Sequence, residues 1–199
     1  MEGLSPEHLS KEELSRAAGV DSHQGDIAQI SRLQEVEVRD LIEKGITPPL
    51  LLVLDGVEDP QNFGQIIRTS ECAGIDGIII TKHSSCGLTD TVLQVSQGAF
   101  TQLPIYIVNN LNQTASQLKN EDFWITAAEN SIESKNWHEI DYRGKVLIII
   151  GSEGRGIKKI NLDNSDFQTT IPMQGSINSL NVSAAVSAIL FERLRQLSC

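Results

Sequence analysis

The 199-residue sequence lacks the features that mark several specialised classes of protein. No apolar run reaches the roughly 18–20 residues that a membrane-spanning helix needs. The acidic N-terminus lacks the apolar core of a signal peptide. Only three cysteines occur, Cys72, Cys86 and Cys199, and none belongs to a CxxC pair. Their number and spacing argue against a disulfide framework and a zinc site, so we expect a metal-free cytoplasmic protein.

The sequence also lacks an excess of basic residues. Sixteen Lys and Arg stand against 26 Asp and Glu, and the net charge is −10, half in residues 1–48 and half in residues 49–199. Proteins that bind nucleic acid usually present a basic surface, because neutralising phosphates supplies much of the affinity. Composition alone therefore disfavours a nucleic-acid ligand, although a local basic patch remains compatible with a negative total.

The first 48 residues have the pattern of connecting structure. Ser10 and Glu13 form a capping-box pattern before a short helix, which we expect to end at Gly19. An apolar stretch, DIAQIS, precedes an amphipathic helix predicted in LQEVEVRDLIEKG. Pro48–Pro49 marks the boundary to the rest of the chain.

From Leu50 onward, short continuous apolar runs alternate with helical stretches. Runs of this kind are typical of strands buried on both faces of a parallel sheet, so we predict an α/β fold. The predicted strands are 51–55, 77–81, 104–108, 123–127, 145–150 and 168–172. The predicted helices are 62–73, 89–96, 111–119, 157–162 and 180–197. Because ligands of such sheets bind beyond the carboxyl ends of the strands, we expect the site in the loops after Asp55, Ile150 and Ile171.

The first of these loops belongs to the segment DGVEDPQNFGQIIRTSECAG, residues 55–74. Asp59-Pro60 favours a turn, and Asn62 is expected to cap the helix that follows. Arg68 lies six residues beyond Asn62, so the two side chains meet only if the turn folds back over the helix. Taken alone, the segment is also compatible with an asparagine cap and an arginine in a surface ion pair.

The second loop lies in IIIGSEGRGI, residues 148–157. A strand that ends in several glycines resembles a dinucleotide-binding loop, but the G-x-G-x-x-G spacing is absent. Gly151 and its neighbours leave backbone groups free to contact an adenosyl or ribose group. Glu153 can accept hydrogen bonds from a guanidinium or a hydroxyl. The alternative is an ordinary turn with a solvated glutamate.

The third loop lies in IPMQGSINSLNVSAAVSAILFERLRQ, residues 171–196. Pro172 ends the strand, and a polar loop leads into a helix rich in alanine and serine, whose small side chains allow a close helix contact. Ile171, Met173 and Leu180 could cradle a coenzyme through apolar contacts. The alternative is a core helix whose serines bond back to backbone carbonyls.

Together, the three segments resemble the SpoU (TrmH-type) family of RNA 2′-O-ribose methyltransferases. The shared order is DGVxDPxNxGxxxRT, GxEGxG and IPMxGxxxSLNVSxA, and it covers roughly residues 50–197. VLQVSQGAFTQLPI resembles the segment that joins the family's middle strands, and HQGDIAQI resembles its HQG linker. The linker indicates the branch that methylates guanosine in ribosomal RNA rather than the transfer-RNA branch.

The resemblance implies a parallel-sheet SPOUT fold in which the C-terminal segment forms a deep trefoil knot around S-adenosyl-L-methionine. It places a methyltransferase domain at residues 49–199 and a linker, or the remnant of a substrate-binding domain, at residues 1–48. It further implies a homodimer packed through the C-terminal helix. The positions that match the family's cofactor-binding residues are Gly151, Ile171 and Leu180, with Met173 nearby.

The family's reaction transfers a methyl group to a ribose 2′-hydroxyl of RNA. The resemblance gives the central role to Arg68, which reaches across the dimer or is supported by Asn62. Ser179 is expected to bind the target phosphate, and Glu153 with Asn181 to orient Arg68. A guanidinium stays protonated at working pH, so Arg68 accepts the hydroxyl proton only after a costly loss of its own proton. The alternative is that Arg68 only fixes the adjacent phosphate and stabilises the developing alkoxide.

The sequence departs from the family in two respects. Larger members carry an RNA-reading domain before the HQG linker, whereas fewer than thirty residues precede it here. Either this part is trimmed or the chain finds RNA with help. The acidic balance is the second departure. The candidates for a local basic patch are Arg155, Lys158, Lys159, Arg193 and Arg195.

Two other functions compete with methyl transfer. A non-catalytic knotted protein that binds RNA or assists ribosome assembly would be expected to lack Asn62, Arg68 or Glu153, and all three are present. A nucleotide-dependent oxidoreductase would use the glycine-rich loop as a cofactor cradle, but no strand, G-x-G-x-x-G and helix unit exists to support it.

Overall fold

The computed structural model describes residues 7–19, 50–129 and 134–198. Contacts divide the chain into two units, Met1–Gln34 and Glu35–Cys199. The predicted amphipathic helix, the HQG linker and the proline boundary all lie outside the described residues. No helix in the described part of the chain combines the length and apolar character needed to cross a membrane.

Helix α1, Lys11–Ala18, is the described element of the first unit. The predicted capping box is confirmed, because the Ser10 hydroxyl accepts the backbone N–H of Glu13 at 3.3 Å and the Glu13 carboxylate accepts the N–H of Ser10 at 2.8 Å. Gly19 ends the helix with a φ of 65°, a left-handed conformation that favours glycine.

A seven-stranded parallel sheet forms the centre of the second unit, in the order β3-β2-β1-β6-β4-β7-β5. The strands are β1 (Leu50–Asp55), β2 (Gly77–Thr81), β3 (Ile105–Val108), β4 (Trp124–Ala128), β5 (Lys135–Asn136), β6 (Val146–Gly151) and β7 (Phe167–Thr170). All six predicted strands are confirmed to within two residues. Strand β5 was not predicted, because two polar residues at a sheet edge carry no apolar signal.

Five helices are described in this unit: α2 (Pro60–Cys72), α3 (Asp90–Ser96), α4 (Leu111–Lys119), α5 (Lys159–Asp163) and α6 (Val182–Leu197). Short 3₁₀ turns occur at Ala99–Thr101 and Trp137–Glu139. The predicted helices are confirmed to within two residues: α2 begins two residues earlier than predicted, α3 one residue later and α6 two residues later. Helix α5 begins two residues later than expected, because Ile157 still belongs to the loop after β6.

Alternate residues of β1 point to opposite faces of the sheet and build two apolar cores. Leu50, Leu52 and Leu54 pack with residues of α2, α3 and α6, whereas Leu51 and Val53 pack with residues of α4. The sheet is therefore covered on both faces, and its strand ends are the surfaces left open for loops.

The carboxyl ends of β1 and β6 are neighbours, because Asp55 pairs with Gly151. Asp55 is 2% exposed, and its Oδ2 accepts the N–H of Lys158 at 3.1 Å and Asn161 Nδ2 at 2.8 Å. The Lys158 ammonium lies 3.3 Å from the other carboxylate oxygen. This buried carboxylate therefore holds the loop after β6 against the end of β1.

Candidate active site

The first residue of the site lies in the opening turn of α2. Asp59 caps this helix by accepting the N–H of Gln61 at 2.9 Å, and Pro60 takes the first helical position, which its fixed φ suits. The prediction that Asn62 is the cap is therefore wrong. Asn62 occupies the third helical position, is 8% exposed, and directs its amide towards the loop after β6.

Glu153 is the meeting point of the three predicted loops. Its Oε1 accepts Asn181 Nδ2 at 2.9 Å and the backbone N–H of Val182 at 3.2 Å, with Asn62 Nδ2 further away at 3.5 Å. Asn181 Nδ2 also lies 2.9 Å from Asn62 Oδ1. Residues Asn62, Glu153 and Asn181 are called the amide–carboxylate cluster below. Their convergence confirms the expected geometry of the loops.

The N-terminus of α6 stabilises the cluster. Asn181 is the N-cap of this helix, and its Oδ1 accepts the N–H of Ser183 at 2.9 Å. Glu153 therefore faces the free N–H groups of a helix N-terminus, where a negative charge is stabilised. The two shorter bonds, from Asn181 and Val182, hold the Glu153 carboxylate towards the start of α6.

A cavity of about 740 Å³ adjoins the cluster. Its wall includes Glu153, Ser179 and Asn181. It also includes all four predicted cofactor-binding residues: Gly151, Ile171, Met173 and Leu180. The volume lies within the range of roughly 300–1,000 Å³ typical of small-molecule sites. The backbone is tightly closed at Gly151, where an added Cβ would lie 2.2 Å from the carbonyl carbon of Gly156.

Glu129 is a cavity residue that the sequence motifs did not indicate. It directly follows β4, and its carboxylate accepts the N–H of Ile157 at 3.3 Å while lining the cavity. Its position at the carboxyl end of a predicted strand was the available signal. A carboxylate at this place can accept hydrogen bonds from ligand hydroxyls. The described residues contain no cluster of His, Cys, Asp or Glu suited to hold a metal ion.

A smaller cleft of about 180 Å³ opens on the α2 side of the same loops. Ser152, Glu153 and Val182 line both spaces. The other lining residues of the cleft are mostly polar: Gly56, Val57, Glu58, Asp59, Asn62 and Arg155. The amide–carboxylate cluster thus separates a large cavity from a polar cleft, an arrangement that suits two reactants.

A family model described as the SpoU rRNA Methylase family matches residues 49–191. This chain belongs to the SpoU rRNA methylase family. The family predicted from the three segments is therefore confirmed.

Named relatives of this SpoU protein agree on one branch of the family. The 23S rRNA (guanosine-2′-O-)-methyltransferase of Pseudomonas putida is 38% identical over 87% of this chain and 71% of its own length. The enzyme of the same name from Xylella fastidiosa is 36% identical over 98% and 79%. The AdoMet-bound rRNA methyltransferase of Sinorhizobium meliloti superposes with a TM-score of 0.79 at 25% identity, covering 94% of this chain and 70% of that one.

Arg68 of the SpoU motif does not join the cluster within one chain. It lies on the exposed face of α2, and the described residues offer it no hydrogen bond or ion pair. The alternative of a surface ion pair is therefore not seen in the described part of the chain either. Glu153 and Asn181 do not orient Arg68 within the same chain, and its role in this SpoU protein stays a prediction.

The predicted basic patch needs correction at Arg193, and two of its exposed members, Lys158 and Arg195, are paired with carboxylates. Arg193 is 6% exposed and its Nε donates to the carbonyl of Tyr142 at 3.1 Å, because this side of α6 faces inward. Arg195 forms an ion pair with Glu192 at 2.8 Å. Arg193 is therefore not available to phosphates as predicted, whereas Arg195 stays exposed. Of the five basic residues predicted for the patch, two are exposed and form no ion pair within the described ranges, namely Arg155 and Lys159.

Proposed function

We propose that this chain transfers a methyl group from S-adenosyl-L-methionine to a ribose 2′-hydroxyl of RNA, with a guanosine of 23S ribosomal RNA as the target. The observation that carries the proposal is the cluster of Asn62, Glu153 and Asn181 between a large cavity and a polar cleft. The names of the relatives from Pseudomonas putida and Xylella fastidiosa support the choice of target. Ribosomal RNA is a cytoplasmic substrate, so the same compartment is proposed for this chain.

The larger cavity fits S-adenosyl-L-methionine in size and in chemistry. Ile171, Met173 and Leu180 offer apolar surface, and the closed turn at Gly151 offers backbone groups. Glu129 is placed to accept hydrogen bonds from ribose hydroxyls. When bound, the cofactor supplies an electrophilic methyl group on a sulfonium. The chain must then position the acceptor oxygen and exclude water.

Glu153 is proposed to orient the acceptor hydroxyl. Its Oε1 is held by Asn181 and the start of α6, and its Oε2 has no hydrogen-bond partner among residues 50–129 and 134–198. A 2′-hydroxyl that enters the polar cleft can donate to this second oxygen. Ser179, exposed at the rim of the cavity, is proposed to bind the neighbouring phosphate.

Arg68 is proposed to act from a second copy of the chain. Helix α6 carries small side chains at the exposed Ala184 and the half-buried Ala188, followed by Phe191 at 49% exposure. Helix α2 packs beside it. Two copies that meet at this face would bring Arg68 of one towards Glu153 of the other. Arg68 would then accept the hydroxyl proton in its neutral guanidine form or, as a guanidinium, stabilise the alkoxide and the adjacent phosphate.

The trefoil knot of the family is proposed for the segment between β7 and α6. Strand β7 lies on the far side of β4, whereas α6 packs against α2, so residues 171–181 must cross the loop after β6. The hydrogen bonds from Asn181 and Val182 to Glu153 of that loop support a threaded arrangement. The methyltransferase domain is proposed to comprise residues 49–199.

The proposal is tested with transcribed 23S ribosomal RNA and isotopically labelled S-adenosyl-L-methionine. We expect label in one guanosine, in a linkage that resists alkaline cleavage because the 2′-hydroxyl is blocked. Glu153→Gln should lower turnover by at least about a hundredfold. Glu121→Gln, in the exposed turn before β4, is the matched control and should leave turnover unchanged.

Two outcomes would contradict the proposal. If the wild-type chain binds the cofactor by calorimetry but labels no RNA, the non-catalytic alternative is favoured. If Glu153→Gln retains near-normal turnover, the cluster is not the site of the reaction.

A further inference from the structure

The amide of Asn181 has its orientation fixed from both ends. A carboxylate only accepts hydrogen bonds, so Nδ2 must face Glu153, 2.9 Å away. A backbone N–H only donates, so Oδ1 must face Ser183 N, also 2.9 Å away. Any change that lets this amide rotate would withdraw a donor from Glu153.

Ser183 contributes a second bond to the same oxygen. Its hydroxyl lies 2.6 Å from Asn181 Oδ1 and its side chain is buried, with 7% exposure. Asn181 itself is exposed, so water competes for its amide from the outer side. The buried hydroxyl holds Oδ1 from the inner side, where water does not compete.

Ser183 differs in this respect from the other serine of the helix. Ser187 Oγ bonds back to the carbonyl of Ser183 at 2.8 Å, as expected for a serine inside a helix. Ser183 is the second residue of α6 and has no helical carbonyl four residues before it. Its hydroxyl is therefore free to turn towards the cap.

Gln65 links Ser183 to the exposed face of α2. Gln65 Oε1 lies 2.9 Å from Ser183 Oγ, and Gln65 shares that face with Arg68, three residues later. The Ser183 hydroxyl has one proton, which it donates to the nearer acceptor, Asn181 Oδ1. Gln65 then donates to the Ser183 oxygen when its side-chain amide is turned so that the nitrogen, rather than Oε1, faces Ser183.

We propose that Ser183 is a positioning residue for methyl transfer: its buried hydroxyl, held by Gln65, fixes the amide of Asn181 and through it the carboxylate of Glu153. The inference rests on the proposed function, because its consequence is a change in turnover. Glu153 and Asn181 also line the cofactor cavity, but the residues proposed to contact the cofactor, Gly151, Ile171, Met173 and Leu180, are left in place. Cofactor affinity should therefore stay nearly unchanged.

The test compares three single variants. Ser183→Ala should lower kcat by about tenfold, the effect of one lost hydrogen bond, with the Kd for S-adenosyl-L-methionine unchanged by calorimetry. Ser187→Ala removes a hydroxyl of equal size one turn later and should leave kcat unchanged. Gln65→Ala, at an exposed position that does not threaten folding, should lower kcat by about two- to threefold.

The proposal is overturned if neither Ser183→Ala nor Gln65→Ala lowers kcat, or if Ser187→Ala lowers it equally. It is also overturned if the Kd of the cofactor rises in step with the loss of kcat. An NMR measurement of the Asn181 side-chain amide separates this inference from the proposed function. A shifted resonance in Ser183→Ala supports the positioning role even if the wild-type chain methylates no RNA, and an unshifted resonance contradicts it.

Discussion

Replacing Gly151 with alanine should open the loop that closes the cavity. The added Cβ would lie 2.2 Å from the carbonyl carbon of Gly156 and 2.5 Å from the nitrogen of Ile157, whereas ordinary contacts begin at 3.4 Å. Both neighbours are backbone atoms, so no side-chain rotation can relieve the overlap. The loop would have to move by about 1.2 Å, the difference between these contact distances.

The energetic cost follows from the overlap and from the contacts that the shift would break. Overpacking of this kind costs about 1–3 kcal/mol. The N–H of Ile157, now 3.3 Å from the Glu129 carboxylate, would leave hydrogen-bond range, which adds roughly 1 kcal/mol. A total of about 3 kcal/mol would lower the Tm of a protein of this size by roughly 6–12 °C. Displacing Glu153 by about 1 Å should reduce turnover about a hundredfold.

Thermal unfolding and steady-state methylation measure the two effects. Gly175→Ala is the matched control, because its added Cβ would have no neighbour within 4 Å and its φ is ordinary. We expect this control to stay within about 0.5 kcal/mol of the wild-type stability. If Gly151→Ala kept both the wild-type Tm and the wild-type turnover, the close approach of the two backbone segments would not be required for the site.

Two further predictions test the cavity and the pH dependence of stability. Glu129→Gln should raise the Kd for S-adenosyl-L-methionine about tenfold by calorimetry, because it removes a charged acceptor; an unchanged Kd would contradict its role in the cavity. Arg195 lowers the pKa of Glu192 from its usual 4.5 through a side-chain hydrogen bond. Wild type should therefore be more stable than Glu192→Gln above about pH 4.5, and the difference should vanish as pH falls through the lowered pKa. Denaturant unfolding across pH 3–7 checks this, and a constant difference would refute it.

The fold could be predicted because its strands are buried on both faces. Runs such as Leu50–Asp55 and Val146–Gly151 are almost wholly apolar and almost wholly buried. A continuous apolar run in the sequence therefore indicates a strand buried on both faces of the sheet. Strand β5 was missed because its two residues are polar and only pair at the edge. The order of the strands in the sheet was not predicted, since an apolar run does not indicate which other strand it pairs with.

The site was predicted less completely than the fold. The carboxyl-end rule selected the correct loops, yet it did not distinguish Asn62 from Asp59 as the helix cap. Both residues can cap, and the proline between them decided in favour of Asp59, because proline suits the first helical position. Glu129 and Ser183 were missed because their roles depend on contacts across 28 and 118 residues of sequence.

Helix geometry explains why Arg68 and Asn62 share a motif without meeting. Six residues of α-helix turn by about 600° and rise about 9 Å, so Arg68 points roughly 120° away from Asn62 and lies well below it. Asn62 is buried against Glu153, and this rotation leaves Arg68 on the outer face of α2. Within its own chain Arg68 makes no hydrogen bond or ion pair to a described residue. If Arg68 acts from a second copy, as proposed, a variant that stays monomeric should be inactive even with every motif residue intact.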